Sequence, residues 1–400
     1  MKSILQKASI FSISVALLLS CAPKEKTQRT TDEYKNAAKY MQRAWYGMVY
    51  NQITSQNWDG NQLIYVKRTK DGTTYTSVNT NTKEKKELTD YKAPKTTSAY
   101  GKAKRNEHVS PNGKLAAYID NYNLWVRDLK TNKKTQLTFD GKEDYGYATN
   151  NAGWIKSNNA VLKWSPNSDK IATFQQDARG VGMMYLTSTN VGHQKLEAWR
   201  HPLPGDKTIF TIERVIIHLG ARPKTVRLKM KKDFQRGTTT DHIASWSNEL
   251  LDAQWNDDGS QFAFVSGSRD HKEAHLQIAN SYTGVVKSIH KEKVDTYYES
   301  GVRTENWRVF FDSNEFMWYS EKSNWGHIYL YDLTTKKLKN QITSGDWIVK
   351  QVRNIDEKNR QIYFTAGGKE EGNPYHNYYY KVNFDGSNLV NLTPSKGTHS

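Results

Sequence analysis

Cys21 is the residue whose type and position most directly indicate chemistry, because it is the only cysteine and it follows an apolar run at the start of the chain. Residues 10–19 form that run, and it is too short to span a bilayer stably. The order Leu-Leu-Ser-Cys over 18–21 is typical of a signal whose cleavage leaves a lipidated cysteine at the amino terminus. A signal peptide with a chance cysteine is the alternative. We predict a lipoprotein signal peptide over 1–20, lipidation at Cys21 and an exported, membrane-anchored protein.

Other patterns that could bind a metal are weak. His271 and His275 have the spacing of a helical metal site, but their surroundings have strand and loop patterns, and no His-Glu-x-x-His occurs. Asp257 and Asp258 precede a glycine in a turn that lacks the further ligands of a calcium loop. The sequence therefore predicts no metal and no cofactor.

The charge balance is strongly basic, with a formal net charge of +17. Such a balance can indicate a nucleic-acid partner. The lysines are scattered, however, with local clusters only at 83–86 and 229–232, and no helix-turn-helix, zinc-finger or RNA-binding pattern accompanies them. We predict solvated loops and no nucleic-acid partner.

The elements that must position any site are short strands in a repeated pattern. An aromatic, strand-like run leads through a polar turn to a run that ends in Leu-Thr or Ile-Thr, and this occurs at 74–89, 123–138, 327–343 and 378–393. Two strands joined by a turn cannot bury their own apolar face, so the copies must stack on one another.

A second pattern precedes these repeats. A turn rich in Asn, Asp, Gly or Pro is followed by a strand-like run, and six such runs are LIYVKR, KLAAYI, KIATFQ, QFAFVS, EFMWYS and QIYFTA. Their spacing is mostly about 45 to 55 residues, the scale of one four-stranded propeller blade. The gap between 168 and 258 is longer and contains TIFTIERVIIHLG and KTVRLKMKK. It therefore predicts an extra hairpin, an insert or a degenerate blade.

The expected fold is all-β, a β-propeller of six or more blade-like units with a short N-terminal helix. The expected propeller could be an incomplete ring of seven or eight blades. The helix is predicted over 32–50, with Asp32 as its cap. The predicted organisation is a signal peptide over 1–20, a tether over 21–31, a helical lead-in over 32–56 and the propeller over 57–400.

The segment WSPNSDKIATFQQDARGVGMMYL over 164–186 makes the pattern more specific. It resembles the N-terminal propeller of the dipeptidyl peptidase IV family, the S9 serine exopeptidases, in a bacterial branch. GKEDYGYATNNAGW, VGHQKLEAWRHPLPGD and WGHIYLYDLTTKKLKNQITSGDW fit the same branch, and the resemblance covers about 32 to 400.

In that family the propeller caps a C-terminal α/β-hydrolase domain, where a Gly-x-Ser-x-Gly elbow presents the serine nucleophile. No Gly-x-Ser-x-Gly and no βαβ alternation occur in this sequence. The resemblance therefore implies a hydrolase domain that we expect to be missing from this chain. We predict no catalytic residue within 1–400, and we expect the native chain to continue past Ser400.

The resemblance also implies substrate-binding residues. The family's propeller holds the substrate's terminal ammonium with two glutamates, and a gap-free comparison places that pair on Asn158 and Asn159. Asparagine can accept a hydrogen bond but carries no negative charge, so removal of dipeptides from a free amino terminus is in question. Glu143 and Asp144 are close in sequence and could supply the charge.

The family also orients the substrate backbone with an arginine from a neighbouring strand, which falls on Arg68 or Lys70. Lysine lacks the planar fork needed for bidentate contacts. A cation that faces water at a strand edge is an equally good interpretation of either residue.

The expected function is the substrate-gating propeller portion of an exported serine exopeptidase. Its expected partners are a peptide substrate, the membrane through an N-terminal lipid and the hydrolase domain, and a homodimer stays open. The alternative function is a non-catalytic lipoprotein propeller that binds peptide or glycan, since fold alone does not fix function.

Overall fold

The structure of the chain is a computed structural model that describes residues 29–41, 49–79, 81–89, 91, 101–149, 158–189, 191–235, 243–244, 250–298 and 306–399. The chain divides into two compact units, Met1–Thr96 and Thr97–Ser400. Cys21 and the predicted signal peptide lie outside the described residues.

Helix α1 spans Thr31–Ala38 in the first unit. Thr30 caps it, because its hydroxyl accepts a hydrogen bond from the backbone N–H of Glu33 at 3.2 Å and its own N–H donates to the Glu33 carboxylate at 2.7 Å. This reciprocal capping box satisfies two backbone donors at once. The predicted cap, Asp32, lies instead within the first turn, and the helix ends well before residue 50.

The first sheet also belongs to this unit. Its strands are β1 Gln52–Asp59, β2 Gln62–Thr69, β3 Gly72–Asn79 and β4 Lys85–Leu88. They pair antiparallel in the order β1-β2-β3-β4. Gly60 has φ of 54° in the turn that joins β1 to β2, a conformation that glycine adopts without steric cost.

The other strands belong to the second unit. The second sheet contains β5 His108–Val109, β6 Leu115–Asp120, β7 Asn123–Asp128 and β8 Lys134–Gln136. The third sheet contains β9 Lys163–Trp164, β10 Lys170–Asp177, β13 Thr211–His218, β14 Lys224–Arg227 and β15 Asp233–Phe234. Between β10 and β13 the chain forms a separate hairpin of β11 Met183–Thr187 and β12 Leu196–Arg200.

Three further sheets complete the described part of the chain. The fourth contains β16 Ala253–Trp255, β17 Gln261–Gly267, β18 Glu273–Asn280 and β19 Val286–Lys293. The fifth contains β20 Arg308–Phe310, β21 Glu315–Ser320, β22 His327–Asp332 and β23 Leu338–Gln341. The sixth contains β24 Ile348–Asp356, β25 Gln361–Gly367, β26 Tyr378–Asn383 and β27 Val390–Asn391.

The sequence repeats correspond to fixed positions in these sheets. The six predicted strand-like runs lie on β2, β6, β10, β17, β21 and β25, the second strand of each sheet. The four repeats that end in Leu-Thr or Ile-Thr lie on the third and fourth strands, for example on β7 and β8. Antiparallel pairing in sequence order is the pattern of a propeller blade.

The long gap in the spacing has a specific structural cause. The extra element is the hairpin of β11 and β12, inserted between β10 and β13. TIFTIERVIIHLG and KTVRLKMKK are not extra, because β13 pairs directly with β10 and β14 pairs with β13. These segments are the ordinary third and fourth strands of the third sheet.

Apolar clusters join consecutive sheets of the second unit, as the stacking argument requires. Ala117 of β6 and Ile171 of β10 share one cluster, and Phe174 of β10 and Phe264 of β17 share the next. Tyr329 packs in a cluster that joins the fourth sheet to the fifth, and another cluster joins the fifth to the sixth.

Tryptophan side chains add hydrogen bonds between neighbouring sheets. The indole N–H of Trp164 donates to the carbonyl of His108 at 3.0 Å, and that of Trp255 donates to the carbonyl of Lys163 at 3.2 Å. Both are buried, so each ring contributes apolar contact and a satisfied donor together. In the part of the chain that the structure describes, no helix is long and apolar enough to cross a bilayer.

Candidate functional site

The candidate site forms around the loop that connects β8 to β9, described over 137–149 and 158–162. Gly141 starts its turn, where a Cβ atom would lie 2.2 Å from the carbonyl oxygen of Tyr122. The Gly141 N–H donates to Oδ1 of Asn123 at 2.9 Å, and the Asn123 amide donates to the Gly141 carbonyl at 3.2 Å. Only glycine fits this close approach of two backbones.

The rest of the loop is attached to β10 through its backbone. The N–H groups of Ala178 and Gln176 donate to the carbonyls of Asp144 and Gly146, both at 2.8 Å. The Ala148 N–H donates to the Phe174 carbonyl at 2.8 Å. Because this segment follows the edge of a buried strand, the side chains of its tip have a defined position.

Tyr147 holds the loop in place through hydrogen bonds of its side-chain hydroxyl. Its side chain is buried, and its hydroxyl donates to Oδ1 of Asp140 at 2.7 Å. Burial raises the pKa of this phenol, and the hydrogen bond to Asp140 raises it further, so the hydroxyl stays protonated. Nη2 of Arg227 contacts the same hydroxyl at 3.0 Å, which connects the loop to β14.

A cavity of about 610 Å³ opens beside the loop. This is within the size range of sites for small molecules and short peptides. Its described walls carry aromatic and polar groups together, including Tyr122, Tyr145, Trp199, Phe210, Thr149 and Gln176. Glu143, Asp144 and Asn158 line it as well, so the fold brings together three of the six predicted site residues. We call it the Glu143 cavity.

Asp144 is neutralised within this wall. Its Oδ2 accepts hydrogen bonds from Nε of Arg200 at 3.0 Å and from Nη2 at 2.6 Å. Nη1 of the same guanidinium donates to the Val181 carbonyl at 2.8 Å. Both bonds go to one oxygen, and the guanidinium compensates the charge of Asp144, which reduces the attraction of this carboxylate for a ligand cation.

Glu143, unlike Asp144, has a carboxylate that is not hydrogen-bonded to a cation in the described structure. Its side chain is exposed, and among the described residues no ion pair or hydrogen bond engages its carboxylate. Three other acids near the loop are paired: Asp140 and Glu213 with Arg227, and Asp177 with Arg179 and Lys232. The hydrogen bond from Arg179 holds the pKa of Asp177 well below its usual range. Glu143 is therefore the available anion of the cavity.

The two asparagines differ in position. Asn158 lines the cavity, whereas Asn159 is half-buried and is not among its described lining residues. The chain then enters the core, because Ala160 and Val161 are fully buried and the Val161 N–H donates to the Ala148 carbonyl at 2.9 Å. Asn158 can reach a ligand with its amide, but it supplies no charge.

Arg68 and Lys70 belong to the first unit, and the other four predicted residues belong to the second. Nη2 of Arg68 donates to the Val49 carbonyl and to Oε1 of Gln52, both at 3.0 Å. Lys70 is exposed in the turn between β2 and β3. Arg68 therefore has a structural role at the start of β1.

The sequence prediction missed Trp199 and Arg200. Both lie on β12 and line the Glu143 cavity. The indole N–H of Trp199 is buried and has no hydrogen-bond partner within the described structure. Their segment, VGHQKLEAWRHPLPGD, carries part of the family resemblance, but no sequence pattern indicates that β12 faces the loop at 141–149.

Comparison with solved structures agrees with the predicted fold. The chain is similar to dipeptidyl peptidase 4 of Porphyromonas gingivalis, with a TM-score of 0.58 and 16% identity over 87% of this chain and 47% of that one. It is also similar to a putative dipeptidyl aminopeptidase IV of Bacteroides ovatus, with a TM-score of 0.53 and 18% identity over 83% of this chain and 44% of that one. The predicted all-β propeller fold is confirmed.

Sequence comparison gives the same result. The chain is 21% identical over 305 residues to a probable dipeptidyl-aminopeptidase B of Aspergillus fumigatus, a match that spans 71% of this chain and 32% of that protein. The chain thus covers about a third of this relative and less than half of either solved structure. The family described as the dipeptidyl peptidase IV (DPP IV) N-terminal region matches residues 65–400. The resemblance is confirmed, and the chain belongs to the family of dipeptidyl peptidase IV N-terminal regions.

Proposed function

We propose that this chain is the substrate-gating portion of an exported, dipeptidyl peptidase IV-like serine exopeptidase, and that residues outside this sequence carry out hydrolysis. Family membership and the absence of Gly-x-Ser-x-Gly from the 400 residues support this division of roles. The observation that carries the proposal is the exposed Glu143 carboxylate, which forms no hydrogen bond and no ion pair within 4.0 Å among the described residues and lines a cavity of about 610 Å³.

The ligand is proposed to be a peptide with a free amino terminus. A terminal ammonium has a pKa near 8, so it is largely charged at neutral pH and favours a carboxylate partner. Glu143 supplies that charge and the Asn158 amide oxygen supplies a second acceptor. Tyr122, Tyr145 and Phe210 offer apolar surface to the side chains that follow.

This assignment gives Glu143 the charge that the two asparagines lack. One carboxylate and one amide attract an ammonium less strongly than two carboxylates would. Replacement of Glu143 should therefore remove most of the preference for a free amino terminus.

The test is calorimetric binding of an alanine pentapeptide amide, with its amino terminus free or acetylated, to the full chain. We expect the free peptide to bind about tenfold more tightly, which corresponds to about 1.4 kcal/mol. Glu143→Gln should abolish that difference. Glu371→Gln, an exposed acid between β25 and β26, is the control. Equal binding of the free and acetylated peptides to the unmodified chain would refute the proposal.

A second candidate function is a membrane-tethered propeller that binds peptide or glycan and takes no part in hydrolysis. The aromatic wall of the cavity favours it, because aromatic rings bind sugars as well as peptides. Oligosaccharides titrated in the same calorimetric assay distinguish the two candidates. If the chain binds a sugar with an affinity that Glu143→Gln does not change, the second candidate function is favoured.

We also propose that Cys21 carries the lipid that anchors the exported protein. The apolar run over 10–19 and the position of the only cysteine support this. Cys21→Ser should move the protein from the membrane fraction to the soluble fraction, with Ser20→Ala as the control. Detection by mass spectrometry of an unmodified cysteine at the mature amino terminus would contradict the assignment.

A further inference from the structure

A second cavity shares Asn158 with the Glu143 cavity. It has a volume of about 350 Å³, and its walls include Lys104, Arg105 and Lys134. We call it the Lys134 cavity. Because Asn158 lines both cavities, the two lie next to each other at this residue.

The only acid on the described walls of the Lys134 cavity is already paired. Glu107 accepts hydrogen bonds from Arg127, from Nε at 2.8 Å and from Nη2 at 2.6 Å. Both side chains are almost completely buried, at 5% and 7% exposed. The Arg127 hydrogen bond holds the pKa of Glu107 below its usual range, so the carboxylate stays charged and the pair is neutral.

The three cations of the wall have no such partner. Lys104, Arg105 and Lys134 are exposed, and no carboxylate lies within 4.0 Å of their charged groups in the described structure. The cavity therefore has a net positive wall, whereas the Glu143 cavity offers a free carboxylate. This is a difference in charge between two adjoining cavities, which can determine how a charged ligand is oriented.

Tyr118 supplies a neutral donor to the same cavity. Its hydroxyl is buried and has no hydrogen-bond partner in the described structure. Burial raises the pKa of this phenol, and the negative charges of Asp120 and Glu107 raise it further, so it remains protonated. A buried hydroxyl without a partner is costly, and an acceptor atom of a ligand would satisfy it.

We propose that the Lys134 cavity is a subsite for a carboxylate of the peptide whose amino terminus Glu143 holds. The favoured peptides would carry an acidic side chain, or a free terminal carboxylate, a few residues after the amino terminus. This inference rests on the proposed function, because it assigns a substrate class to the same site.

The experiment uses the full chain and pentapeptide amides of alanine with a free amino terminus. One series carries Glu at position 3, 4 or 5, and the matched series carries Gln at the same position. We expect one Glu position to bind about three- to tenfold more tightly than its Gln counterpart. An all-alanine peptide with a free terminal carboxylate separates the two sources of the charge.

Variants of the cavity wall show which residues cause the preference for Glu over Gln peptides. The double variant Arg105→Gln, Lys134→Gln should remove the preference for Glu over Gln and leave the preference for a free over an acetylated amino terminus unchanged. The single variant Lys134→Gln should weaken the Glu preference, whereas Lys133→Gln, which makes the same charge change at an exposed neighbour outside the described cavity wall, should leave it intact. All three substituted lysine and arginine positions are exposed, so the variants should unfold at the same urea concentration as the original chain.

The possible failures differ from one another. Equal binding of Glu and Gln peptides at every position, with the free-amine preference kept, would overturn the subsite alone. A Glu preference that Lys133→Gln weakens as much as Lys134→Gln does would reduce it to a general effect of surface charge. Loss of the free-amine preference would overturn the proposed function, and the subsite as part of a peptide site would fall with it.

Discussion

Arg200 holds the carboxylate of Asp144 through two hydrogen bonds of 3.0 and 2.6 Å, although the two residues are 56 positions apart in the sequence. The pair attaches β12 to the loop that carries Glu143. It also distinguishes two adjacent acids, because Asp144 is hydrogen-bonded to Arg200 and Glu143 forms no ion pair among the described residues.

Arg200→Gln should have opposite effects on stability and on binding. We expect the free energy of unfolding to fall by about 1 kcal/mol, since the pair is about one-third exposed. Affinity for a free-amine peptide should rise, because Asp144 becomes a second unpaired carboxylate in the cavity. Urea unfolding and peptide titration measure the two effects. Arg308→Gln, which breaks the exposed pair with Glu357, is the control; a fall in affinity with Arg200→Gln would contradict the prediction.

Gly141→Ala should displace the loop that carries Glu143. The added methyl group would lie 2.2 Å from the backbone oxygen of Tyr122, which cannot move without disturbing β6 and β7. We expect a loss of about 1–3 kcal/mol of stability and a weaker preference for a free amino terminus. Gly182→Ala is the matched control, since a Cβ atom there meets nothing closer than 3.7 Å. Equal urea midpoints for the two variants would argue against a fixed loop.

The sequence predicted the fold more completely than the site. Strand runs such as KIATFQ could be assigned because alternation and turn chemistry are local properties of the chain. The family resemblance indicates Asn158, and Glu143 is predicted only from its closeness in sequence; the structure shows that both line one cavity. The Arg200 partner could not be predicted, because a hydrogen bond between a loop and an inserted hairpin depends on how β10 and β13 pair, and no local pattern encodes it.

Glu315→Gln should be strongly destabilising. The Glu315 side chain is 3% exposed and accepts hydrogen bonds from Arg360, Lys339 and Ser313. Burial raises the pKa of this carboxyl, but the hydrogen bonds together outweigh burial and the pKa lies below its usual value. We expect a loss of about 2 kcal/mol of stability, the usual range for hydrogen bonds to a charged group, because the two cations left behind are 45% exposed and are partly compensated by water.

The matched control for Glu315 is Glu357→Gln. Glu357 pairs with Arg308, and both side chains are about half exposed, so the expected loss is below about 1 kcal/mol. Because the pKa of Glu315 is lowered in the folded state, its stabilising contribution is present above pH 4.5 and is lost as pH falls through the lower folded pKa. Similar urea midpoints for the two variants would contradict the role of burial.

His290 should make the protein less stable in mild acid. Its ring lies among aromatic rings, 5.0 Å from Tyr331 and 5.1 Å from Trp318 between centroids. Burial, together with the charges of Lys322 and His275, lowers its pKa from 6.5 to about 4. The unfolded chain therefore binds more protons between these values, and stability should fall as pH decreases from 6.5 to 4, by about 2–3 kcal/mol at most.

His290→Phe provides the test, because phenylalanine fits an aromatic cluster and cannot gain a proton. The difference in unfolding free energy between the original chain and the variant should change across pH 4 to 6.5 and be flat above it. Burial raises the pKa of the nearby Glu292, which has the opposite dependence on pH, and the comparison cancels its contribution. His193→Gln, at an exposed histidine, is the control for the loss of an imidazole.

The hairpin inserted in the third sheet has a consequence for folding kinetics. In the second sheet, β6 and β7 are joined by the two-residue turn of Asn121 and Tyr122, whereas β10 meets β13 only after residues 178–210 have been bridged. A connection more than tenfold longer adds about 2 kcal/mol of loop-closure entropy to the first contact between the two strands. We therefore expect the third sheet to be the slowest of the described sheets to nucleate, and to form on a template of its neighbours.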